Sequence, residues 1–193
     1  MKTKLTTRDL ISAGAFGAIY LVLLAVLSMV LPVVPVLYLG IPLIAGVLLG
    51  SVYMLYTLKV PRRGAVLILA ILVGLITSMS TIYPLFFAIL WGVVAEIILA
   101  GERRKSANAL VASYCVFNLT SMGPFFALVV AKDAFLETCA DYYGEDYAAT
   151  LDAMTPGWIV IVFVVLALLG GLLGGLLGKR ILKKHFVKAG ISS

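Results

Sequence analysis

Long apolar runs alternate along this chain with short polar breaks. The runs fall at 10–31, 36–58, 64–80, 84–100, 107–131 and 157–178. An α-helix rises about 1.5 Å per residue, so about 20 apolar residues cross the ~30 Å hydrocarbon core of a bilayer. Pro32 and Pro35 separate the first two runs, and Lys59-Val-Pro-Arg-Arg63 the next pair. Tyr83-Pro84 divides the third from the fourth, Glu102-Arg-Arg-Lys105 precedes the fifth, and a polar stretch at 132–156 precedes the sixth. The third boundary is the weakest, because a proline such as Pro84 is tolerated within a membrane helix. The pattern predicts an all-α membrane protein, a six-transmembrane-helix bundle in which 1–193 form one integral membrane domain. The first run exceeds the ~7–15 residues of a signal-peptide core and lacks a cleavage-type segment after it, so it reads as a retained helix.

Composition narrows the class. Apolar residues make up 63% and charged residues 12% of the chain, whereas soluble domains carry about a quarter charged residues. The net charge of +6 invites a nucleic-acid reading, but the basic residues sit in clusters between apolar runs, where they orient a membrane protein. With the N-terminus inside, Lys2, Lys4, Arg8, Lys59, Arg62, Arg63, Arg103, Arg104, Lys105, Lys179, Arg180, Lys183, Lys184 and Lys188 are all cytoplasmic. Of the 15 basic residues, that leaves Lys132 alone outside. An odd span count destroys this alternation. Six spans with both termini cytoplasmic is therefore the expected topology, in a cell membrane, with lipid as solvent and no nucleic acid as partner.

The 132–156 segment is the one substantial polar connection. Its Asp133, Glu137, Asp141, Glu145, Asp146 and Asp152, with Tyr142, Tyr143 and Tyr147, make either a solvated loop with a short surface helix or a lid over an outward-facing pocket. The carboxylates lack calcium-loop spacing. Cys115 and Cys139 give no disulfide framework.

Several features inside the runs carry chemistry. Ala13/Gly17 and Gly14/Ala18 form small-residue stripes in the first run, and Gly170, Gly174 and Gly178 recur in the last beside Gly171 and Gly175. In lipid, such stripes let helices approach closely and gain dispersion contacts. The last stripe is read as packing within the bundle; the first serves internal packing or a partner. Glu96 is the sole acidic side chain within a run, and a carboxylate there must be protonated, paired or near an interface. Pairing with Arg103 or Arg104, contact with a partner subunit, and ion coupling are its three readings. Toward the outer half lie Tyr38, Ser78, Met79, Ser80, Thr81, Tyr83, Trp91, Asn118, Thr120, Ser121 and Met122, with Gly123-Pro124 breaking the fifth run. Tyr and Trp anchor at interfaces, yet their convergence on Asn118 and a broken helix points to a ligand pocket, since irregular backbone at membrane depth is tolerated where it lines a cavity.

Catalysis finds no support. The one histidine, His185, is in the basic tail, and no Ser/His/Asp set, metal-protease motif or phosphate-binding Gly-rich loop is present. The chain is expected to be no enzyme, to bind neither a catalytic cofactor nor a metal, and to hydrolyse no ATP itself.

These residues resemble a known family. The opening Lys4-Leu-Thr-Thr-Arg-Asp-Leu10 leading into Gly17-Ala-Ile-Tyr20, then Ala95-Glu96-Ile97-Ile98, and the ending Gly178-Lys-Arg-Ile-Leu-Lys-Lys-His-Phe-Val-Lys-Ala-Gly-Ile191 are similar to the Trep_Strep (MptD-like) subfamily of energy-coupling factor (ECF) transporter S components. The resemblance covers essentially the whole chain. It implies a six-span protein that binds a micronutrient outside and delivers it with a membrane T component and two cytoplasmic ATPases, which alone use ATP. It implies that the family's Ala-x-x-x-Ala stripe, here Ala13/Gly17 and Gly14/Ala18, docks on the T component. It implies a body that topples in the membrane on release, and leans toward heme or another iron-related ligand, with Met79, Met122 or Tyr38 as contacts and a vitamin or precursor as the alternative. Two rival readings are a self-sufficient carrier or channel, for which Glu96 is the sole coupling candidate, and a structural membrane protein without ligand.

Overall fold

The computed structural model describes residues 7–78, 82–183 and 187. Met79, Ser80 and Thr81 lie outside the described residues, as do Lys2, Lys4, Lys184, His185 and Lys188 at the expected cytoplasmic ends. The described residues are all-helical. Ten α-helices run α1 (Thr7–Val30), α2 (Pro35–Leu39), α3 (Ile41–Lys59), α4 (Ala65–Thr77), α5 (Tyr83–Ile98), α6 (Ala107–Phe117), α7 (Gly123–Val130), α8 (Lys132–Tyr143), α9 (Glu145–Met154) and α10 (Ile159–Ile181). Three 3-10 segments add turns at Leu31–Val33, Gly101–Lys105 and Asn118–Met122.

Four of these stretches are long and apolar enough to cross a membrane: Leu10–Val33, Ile41–Lys59, Ala107–Phe126 and Ile159–Ile181. Helices α4 and α5 are apolar but shorter, at 13 and 16 residues, which is about 20 and 24 Å of rise. The six expected runs therefore resolve into four long candidate spans and two short apolar helices. Prolines at the first turns of α2, α3 and α5 start those helices where a missing N–H costs nothing.

Three expectations need correction. The 36–58 run is two helices, α2 and α3, joined at Gly40. The 107–131 run is broken, because Pro124 has no N–H to give the Thr120 carbonyl; that carbonyl instead takes the Gly123 N–H in a tighter turn. The 132–156 loop is a helical hairpin, α8 and α9, turned at Gly144 with φ +94°, a conformation that glycine adopts without strain.

The core of the bundle is built on glycine. In α10 the repeat Gly170-Gly-Leu-Leu-Gly-Gly-Leu-Leu-Gly178 sorts by face: every glycine is buried, whereas Leu172, Leu173, Leu176 and Leu177 are exposed to the surroundings of the bundle. A Cβ on Gly170 would sit 2.7 Å from the carbonyl oxygens of Pro42 and Leu43, and one on Gly178 2.8 Å from Met54 Cγ. Gly174 lies backbone to backbone against Gly46 and Gly50. The alternate glycines face α6: a Cβ on Gly171 would be 2.7 Å from Cys115 Cα, and one on Gly175 3.1 Å from Val111 Cγ1. One helix thus seats two neighbours on two adjacent stripes, the internal packing that the spacing implied. The α4–α5 pair is seated the same way, Gly74 against Ala88 and Gly92 against Ala70.

Candidate functional site

A cavity of about 380 Å³ opens among α1, α3, α4 and the broken sixth–seventh helix. Its walls come from the ends of these helices nearest the 31–40 connection: Leu24, Ser28 and Met29 of α1, Ile41 and Ala45 of α3, Val73 and Thr77 of α4. Helix α2 adds Tyr38, and the break adds Asn118, Thr120, Ser121 and Phe125. The size is that of a small-molecule site, typically ~300–1,000 Å³.

Among the described residues, the lining holds no Asp, Glu, Lys, Arg or His. Its polar groups are hydroxyls and one amide, and several already donate to the backbone. Thr77 Oγ1 donates to the Val73 carbonyl at 2.8 Å, and Ser121 Oγ to the Asn118 carbonyl at 2.6 Å. Asn118 Nδ2 donates to the carbonyls of Pro42 (2.8 Å) and Ala167 (2.7 Å), tying the starts of α3 and the middle of α10 to the break. What these hydroxyls still present to the cavity is acceptor capacity, on otherwise apolar walls.

The α8–α9 hairpin contributes no lining residue. It braces the wall from behind. Tyr38 packs on Phe125 (ring centroids 4.9 Å) and stacks on Phe135 of α8 (6.1 Å). Tyr147 of α9 donates its hydroxyl to the Pro32 carbonyl at 2.7 Å. Burial pushes the Tyr147 phenol up to about 12, with Cys139 and Tyr143 adding to it, so the donor stays protonated at ordinary pH. The base of the hairpin is clamped by Lys132, which pairs with Asp152 Oδ1 at 2.5 Å and donates to the Thr155 carbonyl at 2.8 Å.

The residues expected to share one pocket divide into two groups. Tyr38, Asn118 and Ser121 line the cavity just described. Trp91 and Met122 line a separate one of about 360 Å³ between α5, α7 and α10, and Phe125 forms a wall of both. Tyr83 packs against the Phe126 ring at 5.2 Å and lines neither. Ser78 follows α4, its hydroxyl buried without a partner among the described residues. Tyr20, Ser28, Met29, Thr77 and Phe125 are lining residues that sequence reasoning missed. The signal was present in α1, where Tyr20, Leu24 and Ser28 recur every fourth residue and so share one stripe.

The small-residue stripes of α1 also separate. Ala13 and Gly17 are buried, with Gly17 facing Leu69 and Leu72 at 3.8 Å and Tyr56 at 3.9 Å. Gly14 faces open space and Ala18 is exposed. Of the two stripes, Gly14/Ala18 is the one left exposed among the described residues.

Glu96 is held by structure. Its carboxylate accepts from the backbone N–H of Gly64 (2.9 Å) and Val66 (3.0 Å), and forms a close ion pair with the buried Arg104. It therefore caps the N-terminus of α4, where two otherwise orphaned amides and the positive helix end favour an anion. Gly64, at φ +85°, is the residue that lets the chain turn into this cap. Among the described residues, no cluster of three or more His, Cys, Asp or Glu side chains is placed to hold a metal ion, and both cysteines are free thiols.

No curated protein and no solved structure matches the chain. Residues 7–188 match the family described as hypothetical bacterial integral membrane protein (Trep_Strep), and this span includes the apolar helices, the glycine stripes, both cavities and the α8–α9 hairpin. The chain is a multi-pass integral membrane protein and belongs to the Trep_Strep family.

Proposed function

We propose that this protein is the ligand-capturing S component of an ECF-type importer, spanning the membrane six times with both termini cytoplasmic. It takes up a micronutrient from outside and hands it on with a T component and two cytoplasmic ATPases. The observation that carries this reading is the ~380 Å³ cavity at the end of the bundle that the charge distribution assigns to the outside. A purely structural protein has no use for such a space. A self-sufficient carrier needs a coupling group, and Glu96, its sole candidate, is occupied with Arg104 and the α4 amides.

The lining also bears on the cargo. A heme or charged metal chelate would bury its carboxylates without a counter-charge, which is strongly unfavourable. A neutral molecule with an apolar body and a few polar groups, such as a vitamin or its precursor, suits these walls better. Purification from rich medium followed by mass spectrometry should identify such a molecule, and an absorbance scan should show no heme band. Ala25 of α1 also lines the cavity, and filling the space with Ala25→Phe is expected to weaken binding by about tenfold or more, the cost of ~1–3 kcal/mol for overpacking, with the melting temperature of the empty protein little changed. A preparation that carries no ligand, and that transports alone in liposomes, overturns the reading.

The docking face gives a second test. Gly14→Leu adds bulk where nothing lies within 4 Å, so the fold should be unchanged while co-purification with the T component is lost. Gly14→Ala should retain it. Full co-purification of Gly14→Leu would remove α1 as the docking surface.

A further inference from the structure

The first cavity takes two of its lining residues, Pro32 and Tyr38, from the 31–40 connection between α1 and α3. Both are held by the α8–α9 hairpin. Tyr147 donates its hydroxyl to the Pro32 carbonyl, and the Tyr38 ring lies between Phe125 of α7 and Phe135 of α8. The connection has few anchors of its own. Leu31 and Leu39 are buried, but Val33, Val34, Val36 and Leu37 are exposed, and the backbone is extended at Val34. The two arms of the hairpin pack chiefly on each other and meet the bundle through α7 and α2. Non-helical residues join them to the neighbouring helices, Ala131 before α8 and Thr155 after α9. Lys132 ties these two joints together through Asp152 and the Thr155 carbonyl. The arms are thus bound to turn as one piece.

We propose that the hairpin is the latch of this cavity: it swings on Ala131 and Thr155, and its departure frees Pro32 and Tyr38 to open the mouth. This rests on the reading of the first cavity as the ligand site. An element tied to its neighbours by few contacts opens without unfolding the rest. The glycine-seated pair α3 and α10 cannot part without losing its whole interface, so the hairpin, and not the bundle, is the part that yields. Across the seam to the connection it is held by one hydrogen bond and one ring contact. Either can be weakened without touching the cavity lining.

The chain has 2 cysteines, and Cys139, 7% exposed on the covered face of α8, reports hairpin opening once Cys115→Ser has removed the other thiol. The probe is trimethylammonioethyl methanethiosulfonate, a small, permanently charged thiol reagent. In nanodiscs, where both faces of the protein meet the reagent, it should label Cys139 slowly. Tyr147→Phe keeps the ring and removes the bond to Pro32, so labelling should quicken about two- to tenfold, the share of one hydrogen bond. Phe135→Leu loosens the contact with Tyr38 and should act in the same direction. Tyr142→Phe, at a side chain 80% exposed, should change nothing. The cavity is read separately by Ala45→Cys in a chain carrying Cys115→Ser and Cys139→Ser, since Ala45 is a lining residue only 1% exposed. Its labelling should quicken with the same two variants, circular dichroism showing that helix content is kept. Rates that ignore both variants, or that rise equally with Tyr142→Phe, overturn the latch. Faster labelling of Cys139 with Ala45→Cys unchanged overturns the link between hairpin and cavity. The importer reading fails differently. A chain that carries no ligand yet labels as expected loses that reading and keeps the latch; one that co-purifies with a ligand while its labelling ignores both variants keeps the reading and loses the latch.

Discussion

A Gly174→Leu chain is expected to yield no monodisperse protein in mild detergent. The position of its missing Cβ is occupied by the Gly46 carbonyl, and Gly50, one turn further along α3, also abuts the Gly174 backbone. Inserting bulk into a packed core costs ~1–3 kcal/mol when flexible side chains can give way. Here the neighbours are backbone, so α3 and α10 must separate and lose the whole of their interface. That interface also carries Gly170 against Leu43 and Gly178 against Met54, and none of it survives a shift of the helix axis. Leu173→Ala on the same helix is the control: Leu173 is exposed, and its loss should change stability by less than about 0.5 kcal/mol. Size-exclusion profiles and melting curves of the two variants decide the matter. Equal profiles would mean that the helices do not approach this closely.

Glu96→Ala should be the most damaging single change to a polar residue. It strips the cap from α4 and leaves the guanidinium of Arg104, only 4% exposed, buried without its counter-ion. Breaking one partner of a buried pair typically costs ~3–5 kcal/mol. Arg104→Met should cost less, because the Glu96 carboxylate, 18% exposed, keeps the Gly64 and Val66 amides. Removing both partners should be milder than the sum of the single losses, the non-additivity expected for groups in contact. Denaturant or thermal unfolding in detergent measures each term. The same series separates structure from energy coupling: a Glu96→Gln protein that melts normally but has lost all transport would return the carboxylate to a functional role.

What could be read from sequence followed the physics of each feature. The α10 stripe was legible because glycine and leucine alternate in pairs at helical spacing, and in a membrane no other arrangement buries the small residues together. The partners of Glu96 were half legible. Arg104 lies eight residues along the chain and is legible as a partner, but the Gly64 and Val66 amides come from the start of another helix, and only tertiary structure brings them near. The α8–α9 hairpin was obscured by its carboxylates. Phe135, Leu136, Cys139 and Ala140 on α8, then Tyr147, Ala148 and Leu151 on α9, follow helical spacing and are the residues packed against the core; the acidic residues lie on the exposed faces. The splitting of the expected pocket had no sequence signal. Ser121 and Met122 are adjacent in the chain yet line different cavities, because consecutive helical side chains point about 100–120° apart and only the tertiary packing decides which cavity each one meets.

A repeat of glycine at every fourth position has an ambiguity built into it. Sliding α10 by one turn, about 6 Å, would again place glycine against the glycines of α3, so close packing alone does not choose among registers. Asn118 does. Its amide reaches the Ala167 carbonyl on α10 and the Pro42 carbonyl on α3 together, and an isolated polar residue in an otherwise repetitive interface selects a single alignment, as it does in coiled coils. The side chain that lines the first cavity is thus also the index mark against which the two glycine helices are set.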